Sequence, residues 1–296
     1  MGKECGIKKM GPVWFIPGGN RGNYPHCHSI YIEGPGILVD PSSDREALVQ
    51  LRETSGVNEV WLSHWHEDHW MYLDLFDGVP VAMLARDAPP MSGIEEMLTA
   101  YGIRPEDREK WQPFFKEFSS PRAPDRLLIP DQTMDLGTTR VRILHSPGHT
   151  PGHMALLFET PGILFTGDYD LTRFGPWYGD RDSDIDQTIA SITRLRQAAA
   201  EIWIASHGTG LFLEPPGRLW DDYLGVIRTR EEKISALLDR PRTVDDLIRE
   251  WIIYGKAREP RFFYEFGERA HIEKHLERWR AAGKVRMENG RYLYAG

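Results

Sequence analysis

The segment Ser63-His64-Trp65-His66-Glu67-Asp68-His69 places three imidazoles and a carboxylate within six consecutive residues, directly after the apolar run Glu59-Val60-Trp61-Leu62. Neutral imidazole and carboxylate are the donors that a borderline divalent ion such as zinc prefers. A loop leaving a strand curls such side chains around two ions roughly 3.5–4 Å apart, the spacing of two-metal hydrolytic sites. Three more ligand-type residues follow, each beside a Gly or Pro where an apolar strand ends: His149 in Ser146-Pro147-Gly148-His149, Asp168 in Phe165-Thr166-Gly167-Asp168, and His207 in Ala205-Ser206-His207-Gly208. Asp40 closes Ile37-Leu38-Val39 in the same fashion. Two ions sharing a water lower its pKa from near 16 to roughly 7, so hydroxide is at hand near neutral pH to attack a carbonyl or phosphoryl centre. No Ser, Cys or Lys nucleophile is required, and the chain has no GxSxG motif.

The elements that must position these residues are legible as periodicities. Strands are predicted at Val13-Ile16, Ser29-Ile32, Ile37-Val39, Glu59-Leu62, Val79-Leu84, Arg126-Ile129, Arg140-Leu144, Met154-Phe158, Ile163-Phe165 and Ile202-Ala205. Helical spacing runs through Asp44-Ser55, Ile94-Tyr101, Pro105-Phe118 and Asp184-Ala200. Strands mixed with helices in this way imply a layered α+β fold, two sheets between helices. From Arg218 the rhythm changes. One long helix takes in Leu219 to Leu238, a second is capped by Thr243 and spans Val244-Tyr254, and a third covers Phe266-Ala282 before Gly283. Asn289-Gly290 between Val285-Met287 and Tyr292-Tyr294 is a strong hairpin signal. Three helices and a hairpin predict a winged-helix domain at 218–296, behind a catalytic domain at 1–217 that carries a helical cap insertion at 87–124.

The motif set resembles the metallo-β-lactamase superfamily over nearly all of Val13 to Gly210, with Asp40, His64-x-His66-x-Asp68-His69, His149, Asp168 and His207 in the family's order. The resemblance implies an αβ/βα sandwich with its site at one edge of the two sheets. It implies that His64, His66 and His149 hold a first metal, that Asp68, His69 and His207 hold a second, and that Asp168 bridges both. Asp40 is then a neighbour that fixes a ligand imidazole through its outer N–H, and Asp68 is the catalytic residue that takes the proton of the nucleophile. The implied cofactor is a pair of divalent ions, zinc first, with iron or manganese also accepted by such donors.

Around this set, His28, Trp65, Trp70, Tyr101, Tyr169 and Arg173 are candidate pocket residues. Met97, Tyr101, Trp111, Phe114 and Phe115 either roof the site or simply pack helices together. His153 is expected in a turn beside the site, and His271 and His275, one turn apart on a charged helix, on a solvated face.

Composition narrows the function. A net charge of −8 argues against a chain devoted to nucleic acid. From Arg228 onward, however, 16 Lys/Arg stand against 12 Asp/Glu. No apolar run reaches bilayer length, Gly6 breaks the myristoylation pattern that Gly2 begins, and Cys5 and Cys27 form no CxxC. These readings give a cytoplasmic protein with two unpaired thiols and no membrane partner. The expected activity is a binuclear hydrolase acting through a metal-bridging hydroxide on a small-molecule ester, thioester or lactone, in the glyoxalase II-like group. Two departures limit the subgroup: Trp70-Met71 replaces the Gly-Gly of glyoxalase II, and Leu171 replaces the Tyr of acyl-homoserine lactonases. The rival reading is an endoribonuclease or phosphodiesterase whose winged helix touches RNA; otherwise that domain packs on the catalytic unit or builds a homodimer.

Overall fold

Val13–Ile16, Ser29–Ile32 and Ile37–Val39 are buried along their whole length, as uninterrupted apolar runs are when a strand is covered on both faces. In the computed structural model, which describes residues 6–118 and 121–295, they belong to a sheet formed by β1 (Lys8–Met10), β2 (Val13–Ile16), β3 (Ser29–Ile32), β4 (Ile37–Val39), β5 (Glu59–Trp61), β6 (Val81–Leu84) and β7 (Arg126–Leu128) in sequential order. Pairing is antiparallel up to β4 and parallel from β4 to β7. A second sheet contains β8 (Thr133–Asp135), β9 (Arg140–His145), β10 (Met154–Phe158), β11 (Ile163–Phe165), β12 (Ile202–Ile204) and β13 (Leu211–Phe212), with β11 and β12 parallel. The Gly2 pattern and Cys5 lie outside the described residues; Cys27 is buried and free.

Four layers result. Phe15, Ile30, Val39 and Trp61 of the first sheet pack against Ile143, Leu156, Phe165 and Ile204 of the second. Helix α1 (Arg45–Thr54), capped by Asp44, lays Leu48 and Leu51 on the outer face of the first sheet. Helices α2 (Ile94–Tyr101) and α3 (Arg108–Phe118) extend that layer through Met97, Leu98, Trp111 and Phe115. Helix α4 (Ile185–Arg196) and α5 (Leu219–Leu237) cover the second sheet through Ile192, Leu195 and Tyr223. This is the expected αβ/βα sandwich. Strands β1 and β8 escaped the sequence pattern because they are mostly exposed and polar, with no apolar run, and β13 because it has only two residues.

The C-terminal part keeps the predicted order of elements with shifted bounds. Thr243 and Asp246 form a capping box on α6 (Val244–Ile248), but the helix ends six residues short of Tyr254. Trp251 takes a left-handed φ of 49°, and the Ile253 and Tyr254 N–H groups donate to the Glu268 carboxylate at 3.0 and 2.7 Å. Helix α7 (Arg261–Ala281) begins five residues before Phe266, because Pro260 has a ring-fixed φ and needs no N–H at a helix start. Strands β14 (Val285–Glu288) and β15 (Arg291–Tyr294) form the hairpin, with positive φ at both Asn289 and Gly290. His271 and His275 are fully buried, contrary to the solvated face expected of them. The charged residues of α7 obscured which side meets the loop at 174–178, where His275 contacts the Tyr178 hydroxyl at 2.9 Å.

The strand ends β4, β5, β9, β11 and β12 carry Asp40, the His64–His69 segment, His149, Asp168 and His207. At Gly148 the chain turns with φ +127°, and a Cβ there would lie 2.2 Å from the Thr188 amide nitrogen. Gly148→Ala is expected to destabilise the protein by about 2–4 kcal/mol from left-handed strain and overpacking together, read as a lower urea midpoint at unchanged slope.

Candidate metal centre

Five histidines reach one buried point from three different strand ends, and each has one ring nitrogen tied to the protein. His64 Nδ1 lies 3.0 Å from Ser63 Oγ, whose hydroxyl donates to Asp40 Oδ2 at 2.7 Å. His66 Nε2–H donates to Asp180 Oδ2 at 2.8 Å and His149 Nδ1–H to the Trp177 carbonyl at 3.1 Å. His69 Nδ1 is 2.9 Å from Asp40 Oδ2, and His207 Nδ1 is 2.5 Å from the Gly22 carbonyl. These tethers fix the tautomer, so the second nitrogen of each ring presents a lone pair to the centre.

The inward atoms form two groups. His64 Nε2, His66 Nδ1 and His149 Nε2 stand 3.0–3.1 Å from one another, with Asp168 Oδ2 3.4 Å from His149 Nε2. Asp68, His69 and His207 make the second group: His207 Nε2 is 3.5 Å from Asp68 Oδ2, and Asp168 Oδ1 lies 2.9 Å from His69 Nε2 and 3.3 Å from His207 Nε2. Asp168 thus turns one oxygen to each group. His69 Nε2 and Asp168 Oδ1, close as they are, have no hydrogen-bond partner among the described residues. Buried donor atoms crowded at this separation repel unless a cation or protons sit among them, and imidazole nitrogens with carboxylate oxygens in two such groups fit a pair of divalent ions, which would displace those protons.

Charge is divided between the rings. Burial lowers the His149 pKa to about 4 and that of His64 further, keeping both neutral. Burial also acts against protonation of His66 and His207, but Asp180 lifts the first to about 9 and Asp168 the second to about 10. Glu67, between His66 and Asp68, is raised by burial and then by Asp68; it accepts the hydroxyls of Tyr24, at 2.8 Å, and of Tyr101.

The seven residues singled out from the sequence are therefore brought together, and Asp40 is buried behind them with a left-handed φ of 52°, also accepting the Ser63 N–H at 2.8 Å. His153 supports Asp168, whose N–H donates to its Nε2 at 3.1 Å. The donor groups open into a cavity of about 460 Å³. Tyr101 lines it; the other five candidate pocket residues do not. Trp65 and Trp70 are buried in the core on the α1–α2 side, Trp65 backing His66 and Tyr101 at ring distances of 4.5 Å. Tyr169 is buried, its hydroxyl donating toward the Ser146 and Pro147 carbonyls. His28 accepts the Gly18 N–H and touches the Gly208 carbonyl. Arg173 is exposed on the loop after Asp170. Alternation of ligand and aromatic residues suggested a mouth, but alternate side chains of the His64–His69 loop point back into the core.

Three supporting residues escaped the sequence reading. Asp180, beside Gly179, has the same Gly-adjacent signature as the other site carboxylates. Asp87 accepts Thr150 Oγ1–H and the Gly152 N–H at 2.5 Å each, pinning the loop that carries His149. Arg230, 2% exposed, donates to the Phe174 and Pro176 carbonyls at 2.7 and 3.0 Å, so α5 holds the loop that supplies Trp177 and Asp180.

With this geometry in place, residues 22–207 match the metallo-beta-lactamase superfamily, and the chain belongs to it. It is an enzyme of that superfamily, a metal-dependent hydrolase. Similar curated proteins include the atrochrysone carboxyl ACP thioesterase of Claviceps purpurea, 25% identical over 259 residues, with 82% of this chain and 72% of that protein covered. The hydroxyacylglutathione hydrolase of Francisella tularensis subsp. novicida is 24% identical over 193 residues, covering 64% of this chain and 63% of that one. Across these curated relatives the match takes in 60–72% of their own length. Among solved structures, a metallo-beta-lactamase family protein of Thermus thermophilus superposes with a TM-score of 0.72 at 24% identity, covering 96% of this chain and 98% of its own.

Burial raises the Asp87 pKa to about 7, whereas an unfolded aspartate ionises near 3.9. The folded state therefore holds this proton more tightly, and the stability it contributes at low pH is lost as pH rises through 7. Asp87→Asn is expected to remove this dependence. Relative to the parent, its unfolding free energy should rise by a few kcal/mol between pH 4 and 7.5, measured by urea titration at both pH values.

Proposed function

We propose that the protein hydrolyses a small-molecule acyl thioester at a binuclear metal centre, with His64, His66 and His149 holding one ion, Asp68, His69 and His207 the other, and Asp168 both. The observation that carries this is the pair of donor groups joined through the two oxygens of Asp168 and opening together into one largely apolar cavity. Named thioesterases among the relatives support a thioester over an ester or lactone, and the hydroxyacylglutathione hydrolase supports a place near the glyoxalase II-like group. Divalent ions bound there, zinc by our reading, would acidify a water and polarise the acyl carbonyl.

The chain's own residues do the rest. Asp68 lines the cavity and takes the proton of the attacking water on its carboxylate. The water oxygen joins the acyl carbon, the C–S bond breaks, and the proton held by Asp68 passes to the thiolate, leaving a thiol and a carboxylic acid that loses its own proton to solvent. The Asp40, Asp180 and Trp177 tethers keep the imidazoles aimed, so that no reorientation is needed during the reaction. Glu67, Tyr24 and Tyr101 close the side of the cavity and limit water entry.

RNA cleavage is the weaker reading. Among the described residues that line the cavity, Arg258 carries the single guanidinium and there is no lysine, while Glu67 and Asp170 add negative charge beyond the donor set, a poor setting for a polyanion. We read 218–296 as a winged-helix-like domain whose task is to complete the catalytic unit, since α5 and α7 pack directly on the 174–181 loop.

Two measurements test this. Purified protein offered a thioester, a lactone, bis(4-nitrophenyl) phosphate and single-stranded RNA should turn over the thioester with the highest kcat/KM. Chelator should abolish that activity and added zinc restore it; faster RNA or phosphodiester cleavage would overturn the proposal. Asp180→Ala, which frees His66, is expected to weaken metal affinity roughly 10–100-fold, read by competition with a chromophoric chelator.

A further inference from the structure

The cavity wall has an unusual composition. Among the described residues that line it, half are aromatic and not one is Leu, Ile, Val, Met or Ala, although such side chains dominate the buried cores of this protein. The wall is assembled from three separate sources: Tyr101 and Trp111 from the cap helices, Phe174 from the loop after Asp168, and Tyr254, Phe263 and Phe266 from the C-terminal domain. Both faces and edges are on offer. Trp111 and Phe266 meet at 5.1 Å and 67°, Tyr254 and Tyr264 at 4.9 Å and 88°, while Trp111 and Phe115 lie within 23° of parallel.

We propose that this wall selects a planar aromatic acyl group, two or more fused rings in size, as the part of the thioester held beside the donor groups; the inference rests on the thioesterase reading above. An alkyl chain would fill the same space by area alone. A ring system adds offset and edge-to-face contacts, each worth roughly two- to tenfold beyond area, so two or three such contacts set a preference of one to two orders of magnitude. The volume of about 460 Å³ is in the range of sites that enclose ligands of that bulk. A small hydroxyacyl group would leave the wall unfilled. A peptidic leaving group with several carboxylates would meet Glu67 and Asp170 and a single guanidinium, that of Arg258, which lies over the Tyr254 and Tyr264 rings at 5.8 and 5.6 Å.

The test uses the full-length, metal-loaded protein and N-acetylcysteamine thioesters that share one leaving group: 2-naphthoyl, octanoyl and lactoyl. The expected result is a kcat/KM for 2-naphthoyl at least tenfold above the other two. Octanoyl or lactoyl within threefold of it, or better, would overturn the proposal while leaving the thioesterase reading intact. If no thioester is cleaved, that reading fails, and binding of the free acids decides the inference: 2-naphthoate should quench tryptophan fluorescence at a Kd at least tenfold below that of octanoate, and equal affinities would refute it. Phe263→Leu keeps apolar bulk and removes the ring. It should lower the 2-naphthoyl to octanoyl ratio at least threefold, in kcat/KM or in Kd, at an unchanged circular-dichroism spectrum. A purely structural role for Phe263 would reduce both equally.

Discussion

Five imidazole nitrogens and the two oxygens of Asp168 are held at separations near 3 Å in a place that water does not solvate. Donor atoms at that distance repel unless a cation or protons are shared among them, and burial removes much of the solvent that would screen them. The arrangement persists because every ring is fastened on its far side, to Ser63 and Asp40, to Asp180, to the Trp177 carbonyl and to the Gly22 carbonyl. Much of the fold can be understood as the support for those fastenings. The sheets set the strand ends, the glycines let the loops turn tightly, and the core behind Trp65 and Trp70 prevents the His64–His69 loop from relaxing.

The C-terminal helices belong to this support. Arg230 sits buried with carbonyl oxygens and the Tyr178 hydroxyl as its partners, and through them it fixes the loop on which Trp177 and Asp180 lie. Helix α7 seals the same loop with His271 against Trp177 at 4.5 Å. The same helix turns Phe263 and Phe266 toward α3, where they meet Trp111 at 5.9 and 5.1 Å. A C-terminal segment that the sequence marks off by charge and rhythm is thus continuous with the site in space. It anchors ligand-type residues on one side and builds a cavity wall on the other.

Chemistry-bearing residues were legible because Asp40, His149, Asp168 and His207 each stand at a strand end beside Gly or Pro, and because the His64–His69 segment crowds three imidazoles into one loop after a strand. Asp40, the His64–His69 segment, His149, Asp168 and His207 could be named from type and spacing. The pocket was read less well. Tyr101 was found, but Trp65, Trp70 and Tyr169 are core residues, and His28 and Arg173 form no part of the cavity. Periodicity tells which residues are buried in an element; it does not say whether a buried aromatic in a loop faces a core or a void.

The sequence by itself determined the layered strand–helix order, the identity of the donor residues, and the hairpin at Asn289-Gly290, because each depends on residues near one another in the chain; the two groupings of donors came only from the resemblance to a family. Only the tertiary structure decided which nitrogen of each histidine faces inward, that Asp180, Asp87 and Arg230 stand behind the site, and that α7 begins at Arg261 and so brings its aromatic face to the cavity. Those features arise from contacts between residues tens to hundreds of positions apart. Hydrogen-bond partners and void surfaces of that kind leave no period in a sequence, since they exist only once the layers have packed.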